Sequence, residues 1–409
     1  MSKSQLSDLI EKQKPGYSLA REFYQDDAIF KADVDAIISK QWILVDHESR
    51  IPNPGDYFLF EVASDSIIIV RGKNDEIHAF FNVCRHRGTR LCEEKEGCRK
   101  LFVCPYHAWS YDFEGKLRQA RDMPGNFDRD DNGLIPCHIE IVEGVIFLNI
   151  NDNRPVKFAE RHADLLPYLK MHGCANAKIV HRVHWTVDCN WKLMFENFEE
   201  CYHCEGVHPE FCKLYHKESL AAFGGGPASA GISSELEQHF TNWENKAREL
   251  GHHTAPLEYD ADSNDFSYAG RAPFDFGALT LSADGKPLAP LMGEFREYDA
   301  AMSVIAINPL SCMLGFNDYV ILMNFIPRTS ITTDVNIIWL VDENAVEGTD
   351  FDPEKVAEVG LAVMSADSKL TDLQQKGISS RGYRPGLYAT QEKLVDAFVQ
   401  WYLKQIKDL

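Results

Sequence analysis

The sequence predicts an α+β protein with a small antiparallel β domain and a larger domain in which an antiparallel sheet is flanked by helices. Short β-branched and aromatic runs, separated by Asp, Asn, Gly and Pro turns, fill residues 42–152. Further β runs follow residue 300, and helical periodicity marks two other stretches. A chain of 409 residues with 44% hydrophobic residues is long enough to bury a full core in each domain.

The first domain, residues 42–152, is predicted from seven runs: QWILVDH, GDYFLFEVA, SIIIVRGK, IHAFFNVC, KLFVCPY, SYDFEG and GVIFLNI. Residues 1–41 and 153–409 are assigned to the second domain. There, a helical stretch near 156–173 precedes the strand-like AKIVHRVHWTVD. The segment NWKLMFENFEECYHCEG predicts a helix, because its large apolar residues recur at a spacing of three and four.

The remainder of the second domain can be assigned to secondary structure only in part. Residues 218–300 are polar and Gly-rich and give no assignment, whereas AMSVIAINPLSCMLGFNDYVILMNFIP and TDVNIIWLVDE predict paired strands. A long helix follows, which Asp352 and Pro353 open and Gly377 closes.

Composition excludes several classes of function. The formal charge of -20 argues against nucleic acid or an anionic membrane as the main partner. The first residues lack a secretory signal, and no stretch approaches the roughly twenty apolar residues of a membrane span, so we expect a cytoplasmic protein. Eleven cysteines, an odd number scattered over a long chain, argue against a disulfide framework and favour metal ligation or burial.

The strongest motif is Cys84-x-His86 followed by Cys104-x-x-His107, with each half on a turn between β runs. Zinc fingers usually keep their cysteines together and their histidines together. A mixed pair in each loop is instead typical of a Rieske [2Fe-2S] centre, in which one iron takes two thiolates and the other two imidazoles. Zinc and chance remain the alternatives. Cys92 and Cys98 lie between the halves without a histidine at ligand spacing, and we interpret them as bystanders.

A second candidate metal site lies in ENFEECYHCEGVHPEF, where His203 and His208 are five residues apart. On an uninterrupted helix their rings would point about 140° apart, so we expect an interruption at Gly206 and Pro209 that brings His208 back towards His203. Two histidines and one carboxylate form the facial triad of non-haem Fe(II) oxygenases. Taken alone, two such histidines are more often ordinary surface or core residues.

Together, CRHRG…CPYHAW and NWKLMFENFEECYHCEGVHP resemble the large, oxygenase component of the Rieske non-haem iron oxygenases, and the resemblance extends over nearly the whole chain. It implies that Cys84, His86, Cys104 and His107 hold the cluster. It also implies a mononuclear Fe(II) site at His203, His208 and a carboxylate of the C-terminal helix, Asp367, with Asp372 as the fallback.

The resemblance further implies that Glu200, where many ring-hydroxylating members have Asp, bridges His203 to the cluster ligand His107 of the partner subunit in a homotrimer. Its position one helical turn before His203 suits this role. Asn197 matches a family position near the iron. The neighbouring Glu199 is expected on a solvated acidic face.

The same resemblance implies O2 as co-substrate and electrons from NADH. No Rossmann glycine fingerprint or flavin motif is found, so these electrons would arrive through a separate flavin- or ferredoxin-type reductase. The bond-breaking chemistry would be supplied by the iron and the pocket by the protein.

The chain is most similar to the family branch that acts on quaternary ammonium compounds such as choline, glycine betaine, carnitine and proline betaine. The similarity lies in Glu200, in ECYHC, and in LQQKGISSRGYRPGLY…FVQWY. A methylated ammonium is held by aromatic faces and carboxylates, and the candidate pocket residues are Tyr202, Phe316, Tyr319 and Phe325. We therefore expect hydroxylation or N-demethylation of a betaine-like cation, with mono- versus dioxygenation left open.

Two alternatives remain. An oxygenase for an aromatic acid or aromatic ring would use arginines to clamp an anionic substrate, and the candidates are Arg182, Arg328, Arg381 and Arg384. A Rieske electron-transfer protein would use the cluster alone and would bind no mononuclear iron.

Overall fold

In the computed structural model, residues 3–222 and 233–407 are described, and residues 43–149 form three small antiparallel sheets. Their strand orders are β1-β10-β9, β4-β3-β2-β5 and β6-β7-β8. The ten strands are β1 Ile43–His47, β2 Asp56–Val62, β3 Asp65–Arg71, β4 Ile77–Phe81, β5 Glu96–Cys98, β6 Phe102–Val103, β7 Ser110–Tyr111, β8 Leu117–Gln119, β9 His138–Val142 and β10 Val145–Asn149. All seven predicted runs contain strands, whereas β5, β8 and β9 have no counterpart in the sequence prediction.

The second part of the chain contains one six-stranded antiparallel sheet with the order β11-β16-β15-β14-β13-β12. Its strands are β11 Ala177–Val187, β12 Tyr268–Pro273, β13 Ala301–Asn308, β14 Ser311–Gly315, β15 Val320–Thr329 and β16 Thr332–Asp342. Strand β12 lies in the stretch that the sequence left unassigned. The observed architecture is the predicted α+β arrangement.

The helices are α1 Lys3–Glu11, α2 Glu22–Gln25, α3 Asp27–Ala36, α4 Phe158–Arg161, α5 Leu166–Met171, α6 Trp191–Phe198, α7 Cys204–Val207, α8 Pro209–Cys212, α9 Lys217–Ala222, α10 Ser234–Glu249, α11 Pro353–Ile378 and α12 Lys393–Ile406. Helices α6 and α11 pack on the same face of the large sheet. The carboxylate of Asp352 caps α11 by accepting from the backbone N–H of Glu354 at 3.1 Å. The helix continues one residue beyond the predicted end at Gly377.

The prediction of one helix through residue 206 is wrong. Helix α6 ends at Phe198, and the chain turns before α7 begins at Cys204. Within this turn a disulfide joins Cys201 to Cys204. A second break at His208 separates α7 from α8, which begins at Pro209, so the interruption expected near Gly206 and Pro209 is present as well. The other nine of the eleven cysteines are free, in line with the absence of a disulfide framework.

Helices α3 and α12, from near the two ends of the chain, both pack against α6. Lys192 and Asp33 form an ion pair with an Nζ–Oδ2 distance of 2.6 Å, and both side chains are fully buried. Asp33 also accepts from the hydroxyl of Tyr402 at 2.7 Å and the indole N–H of Trp191 at 3.1 Å. Removing one partner of such a buried pair costs about 3–5 kcal/mol, because the other charge remains buried and unpaired. Elements from the start, middle and end of the chain therefore hold α6 in place.

Within the described residues, every helix is too short or too polar to span a lipid bilayer.

Candidate active site

The two halves of the first motif form loops with matching hydrogen bonds. In one, the backbone N–H of Gly88 donates to the carbonyl of Cys84 at 2.9 Å; in the other, the N–H of Ala108 donates to that of Cys104 at 3.0 Å. Gly88 and Ala108 both have positive φ, +77° and +59°, which turns each loop back on itself. Each loop therefore presents one cysteine and one histidine from a similar tight turn.

The four side chains of these loops suit a metal cluster. Both cysteines are free and buried, and the ring centroids of His86 and His107 lie 4.7 Å apart. The ring of His86 stacks on Trp109 at the same distance, while His107 is exposed. Burial raises the pKa of Cys84, so its thiolate is costly unless a cation is bound beside it.

The other two cysteines of this segment differ in their surroundings. Cys92 is buried, and its burial raises the pKa of its thiol to about 11. Cys98 is exposed on strand β5, opposite Asp56.

The second motif brings three buried or half-buried side chains together. The distance from Asp367 Oδ1 is 2.8 Å to His208 Nε2 and 3.3 Å to His203 Nε2, and the two imidazole centroids are 5.2 Å apart. Both ring nitrogens of His208 and Oδ1 of Asp367 are buried without a hydrogen-bond partner in the described structure. Orphaned buried atoms of these types, converging on one point, fit a divalent metal ion.

Asp372, the fallback carboxylate, is directed elsewhere. It accepts from Lys376 Nζ at 2.6 Å, one turn further along α11. Cys204 has its Sγ within 4.8 Å of the ligand atoms of both histidines, but that sulfur is bonded to Cys201 and offers no thiolate. Asp367 is thus the carboxylate that the structure brings to the two histidines.

Glu200 contacts Nδ1 of His203, the ring nitrogen that does not face Asp367. Its Oε1 lies 2.6 Å from Nδ1 of His203, and its Oε2 accepts from the backbone N–H groups of Tyr202 and His203. Burial lowers the pKa of His203, but the acceptors Asp367 and Glu200 outweigh that effect and raise it to about 9. The amide nitrogen of Asn197 lies 3.4 Å from Nε2 of the same ring.

Glu199 contradicts the sequence prediction, because it is buried and not part of a solvated face. Only 1% of the residue is exposed, and its Oε1 accepts from the hydroxyl of Tyr268 at 3.0 Å. Its Oε2 is buried without a hydrogen-bond partner in the described structure. Burial raises the pKa of this carboxyl well above its usual range.

Three of the four predicted pocket residues are buried. Phe316, Tyr319 and Phe325 are fully buried, and Phe316 stacks on Tyr319 with centroids 4.4 Å apart. Tyr202 differs from them, since 60% of it is exposed.

The four candidate arginine clamps are either paired or exposed. Arg182 lies 3.1 Å from Glu96, and Arg328 pairs with Asp334 at 3.2 Å. Arg381 and Arg384 are exposed. The guanidinium groups of Arg182 and Arg328 are therefore already paired with carboxylates of this chain.

Two cysteine–histidine loops among the small sheets, together with a His–His–carboxylate cluster between α7 and α11, fit an oxidoreductase with two iron centres. Comparison with known families agrees: residues 41–137 match the Rieske [2Fe-2S] domain, and residues 174–408 match the ring-hydroxylating alpha subunit catalytic domain. The chain belongs to the Rieske oxygenase family, in which the catalytic domain binds mononuclear iron and a separate reductase supplies electrons. It is therefore an oxidoreductase and not an electron carrier alone.

Named relatives point in the same direction. A glycine betaine monooxygenase oxygenase subunit from Pseudomonas aeruginosa is 31% identical over 98% of this chain and 91% of its own length. A carnitine monooxygenase oxygenase subunit from Escherichia coli is 34% identical over 48% of this chain and 53% of its own. A solved quaternary ammonium Rieske monooxygenase shares the fold, with a TM-score of 0.72, 21% identity and 98% coverage of both chains.

Proposed function

We propose that this chain is the oxygenase component of a two- or three-component Rieske monooxygenase that hydroxylates or N-demethylates a betaine-like quaternary ammonium compound. It would use O2 and electrons derived from NADH. The observation that carries this proposal is the similarity, over nearly the full chain, to the glycine betaine monooxygenase subunit.

The proposed cluster ligands are Cys84 and Cys104 for one iron and His86 and His107 for the other. The matched hydrogen bonds of their loops support this assignment. The proposed ligands of the mononuclear ferrous ion are His203, His208 and Asp367, supported by their convergence and by the orphaned atoms of His208 and Asp367. When bound, this iron supplies the activation of O2.

The residues around the iron site would hold and orient its ligands. A carboxylate can only accept, so Glu200 holds a proton of His203 on Nδ1. A bound metal ion would take the place of a proton on Nε2, the nitrogen that faces Asp367. The backbone N–H groups that bind Glu200 fix its orientation in turn. The side-chain amide of Asn197 would lie beside the metal, close to Nε2 of His203.

Electron delivery is proposed to run between subunits of a homotrimer, from His107 of the partner subunit through Glu200 to His203. An exposed apolar surface beside the cluster loops supports an interface there, with Val83 44%, Val103 46% and Tyr106 55% exposed. A flavin- or ferredoxin-type reductase would reduce the cluster again after each electron transfer. Because NADH is a cytosolic reductant, the proposed location is the cytoplasm.

The test combines purified, fully metallated chain with a reductase and NADH. Choline, glycine betaine, carnitine and proline betaine are compared with a set of aromatic acids for O2 uptake and formaldehyde release. Turnover of an ammonium compound supports the proposal, and turnover restricted to aromatic acids overturns it. A metal analysis should find the two irons of the cluster plus one more.

A further inference from the structure

The helix-facing side of the large sheet contains a row of residues that are less buried than their neighbours. Gly270 on β12 pairs with Val304 on β13, which in turn pairs with Leu314 on β14, and all three are partly exposed. The adjacent Ile305 and Met313, on the opposite face, are fully buried. Strands β13 and β14 lie inside the sheet, so exposure there requires a space above the row.

Gly270 lies beside open space. A Cβ added to Gly270 would meet no heavy atom within 4 Å, and its φ is not positive. Val304 and Leu314 pack against the same core cluster as α6 and α11, so the space lies between the sheet and the helices of the candidate iron site. An open space therefore lies over Gly270, beside the partly exposed Val304 and Leu314.

One end of this space meets the end of α6. Tyr268 precedes Gly270 by two residues and shares its face of the sheet. Its hydroxyl donates to the buried carboxyl of Glu199, directly after Phe198, a partly exposed residue whose ring lies 6.1 Å from that of Phe325. The ring of Tyr268, whose hydroxyl donates to the carboxyl of Glu199, therefore borders this end of the space.

The opposite end is closed by aromatic residues. Tyr215 lies 5.2 Å from Phe274, which lies 6.2 Å from Phe316, centroid to centroid. The segment from His208 to Tyr215 connects the candidate metal site to this end, and the partly buried Phe211 within it packs on the same core cluster. The segment thus runs from the candidate metal site to this end of the space.

We propose that this space is the substrate pocket, with Gly270, Val304 and Leu314 as its floor and Tyr268 and Glu199 at the end that receives the ammonium group. Because Gly270 has no side chain, the open space above it determines the size of the largest N-alkyl group that can bind. The inference rests on the proposed function and adds the residues that decide specificity. A quaternary ammonium cannot donate a hydrogen bond, so an apolar floor and an aromatic face suit it.

The test compares wild type with Gly270→Val. The binding of tetramethylammonium and tetraethylammonium to the cluster-loaded protein is measured by tryptophan fluorescence. Valine favours strands, so the variant should fold, and its Rieske absorbance verifies this. Its side chain should weaken tetraethylammonium binding at least about tenfold more than tetramethylammonium binding, since a few methylene groups are worth that much in a fitted apolar pocket. Gly125→Val, at an exposed glycine that also has open space and no positive φ, is the matched control and should change neither.

Each other outcome contradicts a defined part of the reasoning. If Gly270→Val binds both cations as wild type does, the floor is misplaced while the proposed function stands. Choline is also compared with its neutral isostere, in which carbon replaces nitrogen. Tighter binding of the isostere, lost in Gly270→Val, would keep the pocket and overturn ammonium recognition. Failure of all these probes to bind the wild type would overturn the pocket itself.

Discussion

Replacing Glu200 by Gln tests the hydrogen bond that orients His203. The backbone N–H groups of Tyr202 and His203 already occupy one side-chain oxygen, so a Gln would turn its carbonyl to them and its amide towards Nδ1 of His203. An amide donor facing an N–H favours the other tautomer, with the proton on Nε2. That is the nitrogen that faces Asp367 and His208.

The size of the effect follows from the contact that is lost. The Glu200–His203 contact is 2.6 Å long, and both side chains are less than a fifth exposed. A charge-assisted hydrogen bond of this kind is worth about 1.5–3 kcal/mol. We therefore expect Glu200→Gln to weaken ferrous iron binding about 10- to 100-fold, which is also typical when the hydrogen-bond partner of a metal-ligating histidine is removed.

The measurement is the apparent Fe(II) dissociation constant, by competition with a chromogenic chelator, with the Rieske absorbance as internal reference. Glu358→Gln changes the same charge at an exposed position of α11 and should leave the constant unchanged. At saturating iron, Glu200→Gln should keep both centres and still lose turnover with NADH. Wild-type iron affinity and turnover in this variant would refute both the orienting and the bridging role.

Five further substitutions have distinct expected outcomes. Cys84→Ser should abolish the Rieske absorbance, and its persistence would remove Cys84 from the cluster. His208→Ala should keep that absorbance but lose the mononuclear iron in a metal analysis and all turnover; normal turnover would show that the site is misassigned. Asp367→Ala should lose the same iron, whereas Asp372→Ala should lose only an exposed ion pair worth at most about 1 kcal/mol; the reverse result would exchange the two carboxylates. Burial lowers the pKa of His172 to about 3 in the folded protein, so below about pH 6.5 the unfolded chain binds a proton that the folded chain does not. The free energy of unfolding therefore decreases by about 1.4 kcal/mol for each unit by which the pH is lowered. His172→Gln should reduce this acid sensitivity of the melting temperature between about pH 6 and pH 4, and an unchanged pH slope would contradict the buried neutral imidazole.

Local patterns in the sequence were sufficient for most of the fold. The alternating and apolar runs before residue 152 predicted strands because neighbouring residues alone decide them. The Asp352–Pro353 signal placed the start of α11 for the same reason, and Asp367 on that helix does meet the two histidines. The predicted boundaries of the two domains remain predictions.

Features that depend on distant partners were missed. Strand β12 contains Gly270 and Pro273, which disfavour strands, and it forms only because β13 pairs with it. Glu199 was expected in solvent because its neighbours are acidic, but its partner Tyr268 is 69 residues away. The early end of α6 and the Cys201–Cys204 bond were equally invisible, because no Gly or Pro lies between Trp191 and Cys201.

The buried contacts of Asp33 also constrain how the protein is made. Asp33 and Tyr402 are 369 residues apart, and both support the helix that leads to the iron site. In the described residues, the strands between residues 43 and 149 pair only with one another, but many of their apolar side chains belong to buried clusters shared with the rest of the chain. We therefore expect the mononuclear iron site to form only after the last helix has been translated, so that iron binding is a late step in biogenesis.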